Sequence, residues 1–176
     1  MAKTKRLVFL ALLVAVAAAL HVVESRLPVP VPVPGVKLGL TNIISLLTII
    51  MLGWRDAVYV TVARVLLGSL FGGSLFGPAF VMSMGGAMAS IFIMSYAANT
   101  YGKVFSPVGV SVLGAATHNI AQVILAAMLV NSPGLLWYLP YLLLFAVPTG
   151  LCTGLAANYF LAKIPVKHGL TCKDTD

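Results

Sequence analysis

The stretch 38–70 of the chain reads LGLTNIISLLTIIMLGWRDAVYVTVARVLLGSL, two apolar runs separated by a short polar corner. Gly53 ends the first run, Arg55 and Asp56 form the corner, and Arg64 interrupts the second run. Apolar runs bounded by turn residues are typical of helices that lie in a membrane. Because each run is short for a crossing, we expect both helices to pack inside a helical bundle.

The rest of the chain has the same apolar character. Of its 176 residues, 60% are hydrophobic and 9% are charged, and the mean hydropathy is +1.04. A soluble domain has about 25% charged residues, so this composition is typical of a protein in a bilayer. One crossing takes roughly 20 residues, and six or seven crossings leave no length for a large soluble catalytic or nucleotide-binding domain.

Turn signals divide the chain into six apolar runs and a polar tail. We predict an all-α, polytopic membrane protein, a single domain of residues 1–176 built as a six-transmembrane-helix bundle. The predicted spans are 7–23, 38–53, 57–70, 79–98, 108–130 and 135–164, followed by the tail 165–176. Four alternating prolines between the first two spans predict an extended external loop. The first run also has the basic flank of a signal peptide; a retained helix is favoured, and cleavage stays open.

The distribution of positive charge predicts the orientation. Six spans place both termini on one side, and positive residues concentrate on the cytoplasmic side of membrane proteins. Only Arg26 and Lys37 fall in a loop on the other side. The cations on the side of the termini are Lys3, Lys5, Arg6, Arg55, Lys103, Lys163, Lys167 and Lys173. We therefore expect cytoplasmic termini, and the net charge of +7 requires no nucleic-acid partner.

Polar side chains inside the spans predict a binding site. An arginine at the centre of a membrane helix costs about 2.5–3.5 kcal/mol, so Arg64 needs a partner. Glu24 is assigned to the external loop and Asp56 lies roughly 12 Å away along the helix, which leaves backbone carbonyls or an anionic ligand. The candidate substrate-binding residues, expected at similar depth, are Lys37, Thr41, Asn42, Arg64, His118, Asn119 and Gln122. Hydrogen bonding between helices is the alternative role for each of them.

Small residues predict surfaces of close approach. Ala11, Ala15 and Ala19 recur every four residues on the first helix and form a flat face on which another membrane protein can dock. The pair Gly150 and Gly154 is expected to allow close packing within the bundle. Cysteine and histidine spacing predicts no metal site, and no residue is assigned a catalytic role.

Several motifs resemble a known membrane family. They are VKLGLTNI at 36–43, LGWRDA at 52–57, RVLLG at 64–68 and GAATHNIAQ at 114–122. With the alanine face and the proline loop, they resemble the substrate-binding S components of energy-coupling factor (ECF) transporters. More narrowly, they resemble the Gx transporter family, also described as heptaprenyl diphosphate synthase component I. The resemblance covers nearly the whole chain.

The resemblance implies an S component in the bacterial cytoplasmic membrane that captures a small molecule from outside. It also implies docking through the alanine face onto a transmembrane coupling subunit, with ATP hydrolysed by two partner ATPases. No Walker A loop occurs in the sequence, in agreement with ATP hydrolysis by partner chains. The partners expected are therefore the bilayer, the coupling subunit, the ATPases and a small-molecule substrate, and no cofactor is expected on this chain.

A second interpretation is a non-catalytic membrane subunit associated with heptaprenyl diphosphate synthesis. Prenyl diphosphate synthases hold Mg²⁺ and diphosphate through aspartate-rich motifs, whereas the only aspartate before residue 174 is Asp56. We therefore predict that the chain alone is not an enzyme. A stand-alone channel has little support, since the sequence contains no acidic ring or repeated filter motif. Substrate identity and oligomeric state do not follow from the sequence.

Overall fold

The computed structural model describes residues 3–26, 41–99 and 105–163, and within these ranges the protein is all-helical. The elements in these ranges are α1 Lys3–Arg26, α2 Asn42–Leu52, α3 Trp54–Phe71, α4 Pro78–Asn99, α5 Pro107–Val130, a 3₁₀ helix Pro133–Tyr138 and α6 Leu139–Lys163. The all-α prediction is confirmed. The predicted proline loop, Lys37, Lys103 and the polar tail lie outside the described residues.

The direction of each helix follows from contacts near its ends. α1 and α3 run in parallel, because Arg6 pairs with Asp56 near their starts and His21 packs on Gly68 toward their ends. α2 runs against α3, to which Gly53 joins it, and α5 runs against both α4 and α6. We call the end at which α1, α3 and α5 begin the Arg6 end, and the opposite one the His21 end.

Four segments are long and apolar enough to cross a membrane, in the part of the chain that the structure describes. They are Thr4–Glu24, Pro78–Asn99, Pro107–Val130 and Pro133–Lys163. α2 has 11 residues, about 16 Å at 1.5 Å per residue, which is roughly half of the hydrocarbon thickness. α3 has 18 residues but includes Arg55, Asp56 and Arg64. The structure is thus that of a membrane-type helical protein with four candidate spans, and the six-span topology stays a prediction.

The corner between α2 and α3 is tighter than the sequence pattern indicates. Gly53 alone separates the two helices, with a φ of 98°, a left-handed backbone conformation that glycine adopts without steric cost. α3 therefore begins at Trp54 and not at residue 57, and Asp56 lies in its first turn. A carboxylate at this position is stabilised by the positive end of the helix dipole, so the polar corner can be helical.

The packing of α6 on α5 depends on two glycines. The predicted span 135–164 divides into the 3₁₀ helix and α6, and α6 then lies along α5. A Cβ atom on Gly154 would come within 2.6 Å of the Cα atom of Val108, and one on Gly150 within 2.6 Å of the Cα atom of Val112. Glycine has only a hydrogen atom where other residues have a side chain, so it permits two backbones to approach this closely. The packing role predicted for this glycine pair is confirmed.

Both apolar and polar side chains are buried in the bundle. A cluster of buried apolar residues joins α2, α3, α4, α5 and α6 toward the Arg6 end and includes Leu46 and Met94. Toward the His21 end of α1, α2 and α3, the polar residues Glu24, Asn42 and Arg64 are at most 2% exposed, whereas Asp56 is buried at the Arg6 end of α3. The apolar cluster holds the helices together, and the polar residues on α1 to α3 mark the region of the candidate site.

We expect Gly154→Ala to lower the thermal unfolding temperature of the purified protein in detergent. The added methyl group overlaps the backbone of α5 at Val108, and overpacking of this kind typically costs about 1–3 kcal/mol. Gly109→Ala is the matched control, because a Cβ atom there meets nothing closer than 3.5 Å. An equal loss of thermal stability in both variants would show that the close approach of α5 and α6 is not what Gly154 provides.

Candidate functional site

The hairpin of α2 and α3 sets two polar pairs opposite each other. The hydroxyl oxygens of Ser45 and Thr61, each eight residues from Gly53, lie 3.2 Å apart and share a buried hydrogen bond. Asn42 and Arg64 are each eleven residues from Gly53, one helical turn further on the same faces. Because the helices are antiparallel, the step from Ser45 to Asn42 on α2 and the step from Thr61 to Arg64 on α3 both lead toward the His21 end. Asn42 and Arg64 therefore face each other one turn beyond the Ser45–Thr61 contact.

A carboxylate from α1 belongs to the same region. α1 continues to Arg26, so Glu24 is part of the helix and is only 2% exposed. The Thr41 hydroxyl donates a hydrogen bond of 3.4 Å to Oε2 of Glu24, and the charge of Glu24 acts on the Arg64 guanidinium. The assignment of Glu24 to the external loop is wrong, and so is the expectation that no protein carboxylate accompanies Arg64. The physical reason is that α1 extends one turn beyond its apolar run and turns this carboxylate into the bundle.

Two residues of this group carry polar atoms without a partner among the described residues. Arg64 is 1% exposed, and its Nε and Nη2 atoms are buried with no hydrogen-bond acceptor there. Asn42 is also 1% exposed, and neither atom of its side-chain amide is hydrogen-bonded in the described part of the chain. A buried polar group left in this state costs about 1–3 kcal/mol, and more when it is charged. These atoms therefore have unused hydrogen-bonding capacity among the described residues.

We name Glu24, Thr41, Asn42 and Arg64 the Arg64 cluster. It contains three of the predicted site residues and adds Glu24, which the sequence analysis placed elsewhere. Its signal in the sequence is the spacing of Glu24 three residues after His21, which places both on one face of α1. His21 is buried against Gly68 of α3, and that contact brings the end of α1 onto α3.

The remaining acid of the described residues is engaged at the Arg6 end. Oδ2 of Asp56 accepts a hydrogen bond of 2.7 Å from Nη2 of Arg6, and the two form an ion pair between α1 and α3. Asp56 therefore pairs with Arg6 and not with Arg64, in agreement with its predicted separation from Arg64 along the helix. α1 thus has a charged side chain that acts on a charge of α3 toward each of its ends.

The predicted residues on α5 point in two directions. The side chains of His118 and Gln122 lie together against Gly86 of α4, where a Cβ atom would come within 2.8 Å of Gln122 Cγ and 3.2 Å of His118 Cε1. Their shared helix face is confirmed. Asn119 instead faces α6, and its Nδ2 atom donates a hydrogen bond of 3.0 Å to the Leu142 carbonyl oxygen. Half of the Asn119 amide therefore serves helix packing, and a ligand role for these three residues stays a prediction.

The alanine face of α1 is exposed. Ala11, Ala15 and Ala19 all lie on the outside of the bundle, whereas Leu13 and Ala17 between them are buried. Exposed apolar surface on this helix is equally suited to lipid, so exposure leaves the docking role a prediction. No group of three or more histidine, cysteine, aspartate or glutamate side chains suited to a metal ion occurs within 3–26, 41–99 and 105–163.

Comparison with known proteins gives one match. The family model described as heptaprenyl diphosphate synthase component I matches residues 13–160, which include the whole Arg64 cluster. The chain belongs to this family. The heptaprenyl diphosphate synthase component I family is the one named from the sequence motifs, and that recognition is confirmed. No curated protein and no solved structure matches the chain.

We expect Glu24 and Arg64 to depend on each other for stability. Glu24→Gln and Arg64→Gln should each lower the unfolding temperature strongly, since removing one member of a buried charge pair typically costs about 3–5 kcal/mol. The double variant should lose less than the sum of the two, because no buried charge then lacks its counterpart. The measurement is thermal unfolding of all three variants in the same detergent.

The control for these three variants is the charge pair of Arg6 and Asp56 at the other end of α1. Arg6→Gln and Asp56→Asn should couple more weakly, because the side chain of Arg6 is 53% exposed and water screens its charge. Strictly additive losses for Glu24 and Arg64 would contradict their pairing.

Proposed function

We propose that this family member is the substrate-binding membrane subunit, or S component, of an ECF-type importer, and that it binds a small polar molecule at the Arg64 cluster. The observation that carries the proposal is that Asn42 and Arg64, on neighbouring helices, have buried hydrogen-bonding atoms without a partner among the described residues. A buried ionisable residue inside a helical membrane protein is typically functional. A bound molecule supplies the acceptors and donors that the described residues do not.

The position of the cluster suits capture from outside the cell. The Arg6 end carries Arg6, Arg55 and Lys163, and positive residues favour the cytoplasmic side. The Arg64 cluster lies toward the opposite, His21 end of α1 to α3. With this orientation the site is nearer the outer face, both termini are cytoplasmic, and a molecule enters from outside. The additional residues proposed to contact it are His118, Asn119 and Gln122 on α5, together with Lys37, which lies outside the described residues.

Energy for transport comes from other chains in this proposal. The sequence contains no Walker A loop, so ATP is hydrolysed by two partner ATPases. The exposed alanine face of α1 is the proposed docking surface for the transmembrane coupling subunit. Small side chains at helix spacing support this role because they let a partner helix approach closely.

A second candidate function is favoured by the family description itself. Its wording names a component of heptaprenyl diphosphate synthase, so this chain is alternatively a membrane subunit that accompanies a soluble prenyltransferase. Asp56 is the only aspartate before residue 174, and it is paired with Arg6. The Mg²⁺ and diphosphate chemistry of a synthase needs several oxygen ligands, so catalysis in this alternative belongs to the partner.

We expect the protein purified in mild detergent to retain a small molecule, and native mass spectrometry to detect it. Asn42→Ala and Arg64→Ala should each abolish the additional mass, because they remove the unpartnered donors and acceptors. Ser95→Ala is the control: its hydroxyl is also buried without a partner in the described residues, but it lies toward the Arg6 end of α4. Retention in both cluster variants at the wild-type level would overturn the proposed site.

We expect Ala15→Trp to prevent co-purification of a coupling subunit and its ATPases from the native membrane. The large ring keeps the partner helix at a distance from α1. Leu144→Trp, on an exposed position of α6 that is 70% accessible, should leave the complex intact. Recovery of a prenyltransferase in place of ATPases would support the second candidate function and contradict the importer.

A further inference from the structure

Exposed aromatic residues lie at two levels of the bundle. On α3, the exposed residues Trp54 and Phe71 are seventeen residues apart, about 26 Å at 1.5 Å per residue. On α6, the exposed residues Tyr141 and Tyr159 are eighteen residues apart, about 27 Å. Both separations are close to the ~30 Å of a hydrocarbon core, and aromatic rings are enriched at its two boundaries. The Arg6 end, with Trp54 and Tyr159, therefore has the position of a membrane interface.

Cations lie over the aromatic rings of the Arg6 end. The guanidinium carbon of Arg55 is 5.7 Å from the centroid of the Trp54 ring, and Nζ of Lys163 is 4.5 Å from that of the Tyr159 ring. An aromatic face attracts a cation, so each ring holds its charge close to the interface. Arg55 and Lys163 are both exposed. These contacts place two accessible positive charges at the level of the lipid headgroups.

The acid at this end does not neutralise them. Asp56 is the one acidic residue of the described ranges that lies at the Arg6 end, and it is buried. It pairs with Arg6, whose side chain is still 53% exposed. The segments that follow α4 and α6 in the sequence, 100–104 and 164–176, contain three lysines and two aspartates, so they do not reverse the sign. The exposed charge of this end is therefore positive, which favours an anionic partner.

We infer that the Arg6 end binds anionic phospholipids, with the lipid phosphate held by the guanidinium groups of Arg6 and Arg55 where α1 and α3 begin. Guanidinium groups bind phosphate oxygens through paired N–H donors. Asp56 supports the site by fixing Arg6 while remaining buried itself. A phospholipid is favoured over a soluble phosphate, because the Trp54 ring beside these charges marks the membrane boundary. This inference goes beyond the proposed function and applies equally to an importer and to a subunit of a synthase.

The two tryptophans of the chain report on the two ends separately. Trp137→Phe leaves Trp54 as the only tryptophan, and Trp54→Phe leaves Trp137, which is 82% exposed in the 3₁₀ helix at the His21 end. Each full-length variant is reconstituted into vesicles of equimolar phosphatidylglycerol and phosphatidylcholine, with bromine on the acyl chains of one lipid at a time. Bromine quenches tryptophan fluorescence on contact. Comparing the two labelled lipids therefore gives the relative affinity for them at each tryptophan.

We expect Trp54 to favour phosphatidylglycerol about threefold or more over phosphatidylcholine, and Trp137 to show a smaller preference. Arg55→Gln, made in the Trp137→Phe background, should remove most of the preference at Trp54. Lys163→Gln is the matched control, because α6 has no close backbone contact with α3 among the described residues. Arg55, Trp137 and Lys163 are all exposed or half-buried, so these substitutions should leave the fold intact.

Equal quenching of Trp54 by the two labelled lipids would overturn the inference, and so would the same preference at both tryptophans. A preference at Trp54 that persists in Arg55→Gln and is lost in Lys163→Gln would also overturn it, since the lipid would then be bound elsewhere. The proposed function is tested independently of these results, because retention of a small molecule at the Arg64 cluster is measured in detergent.

Discussion

The burial of Arg64 inside an apolar bundle is the constraint on which the rest of the site depends. A guanidinium in this environment is tolerated only where a counter-charge and hydrogen-bond acceptors accompany it. Glu24 provides the counter-charge because α1 continues as a helix past its apolar run and lies in parallel with α3. The need of the buried Arg64 for a counter-charge thus accounts for the polar turn at the end of α1, a helix that is otherwise apolar.

α1 and α3 are held together by contacts of different kinds along their length. At one end Arg6 and Asp56 form a partly exposed ion pair, and toward the other His21 packs on Gly68 below the Arg64 cluster. The hairpin at Gly53 positions Asn42 opposite Arg64 by the same helical repeat that pairs Ser45 with Thr61. Three helices therefore contribute to the cluster, and each is positioned by a contact outside it. This separation lets the cluster keep unsatisfied groups while the fold remains stable.

Much of the architecture could be predicted, because apolar runs and turn residues report directly on helices in a membrane. The helical class, the family and the close packing at Gly150 and Gly154 were all predicted from the residues. Boundaries were less accurate where polar residues are helical, as at Trp54 and Glu24, since hydropathy marks where a helix leaves an apolar environment and not where its hydrogen bonding ends. For the same reason the sequence analysis left Arg64 without its carboxylate.

The sequence by itself determined that this is a helical membrane-type protein, that Arg64 lies within an apolar run and that acidic residues are scarce. These are properties of composition and local order. Only the tertiary structure decided that Glu24 is buried in the bundle with its charge acting on Arg64, that Thr41 bonds to it, and that Asn119 turns toward α6. Those relations join residues on different helices, and they depend on helix direction, rotation and length, which local patterns do not specify.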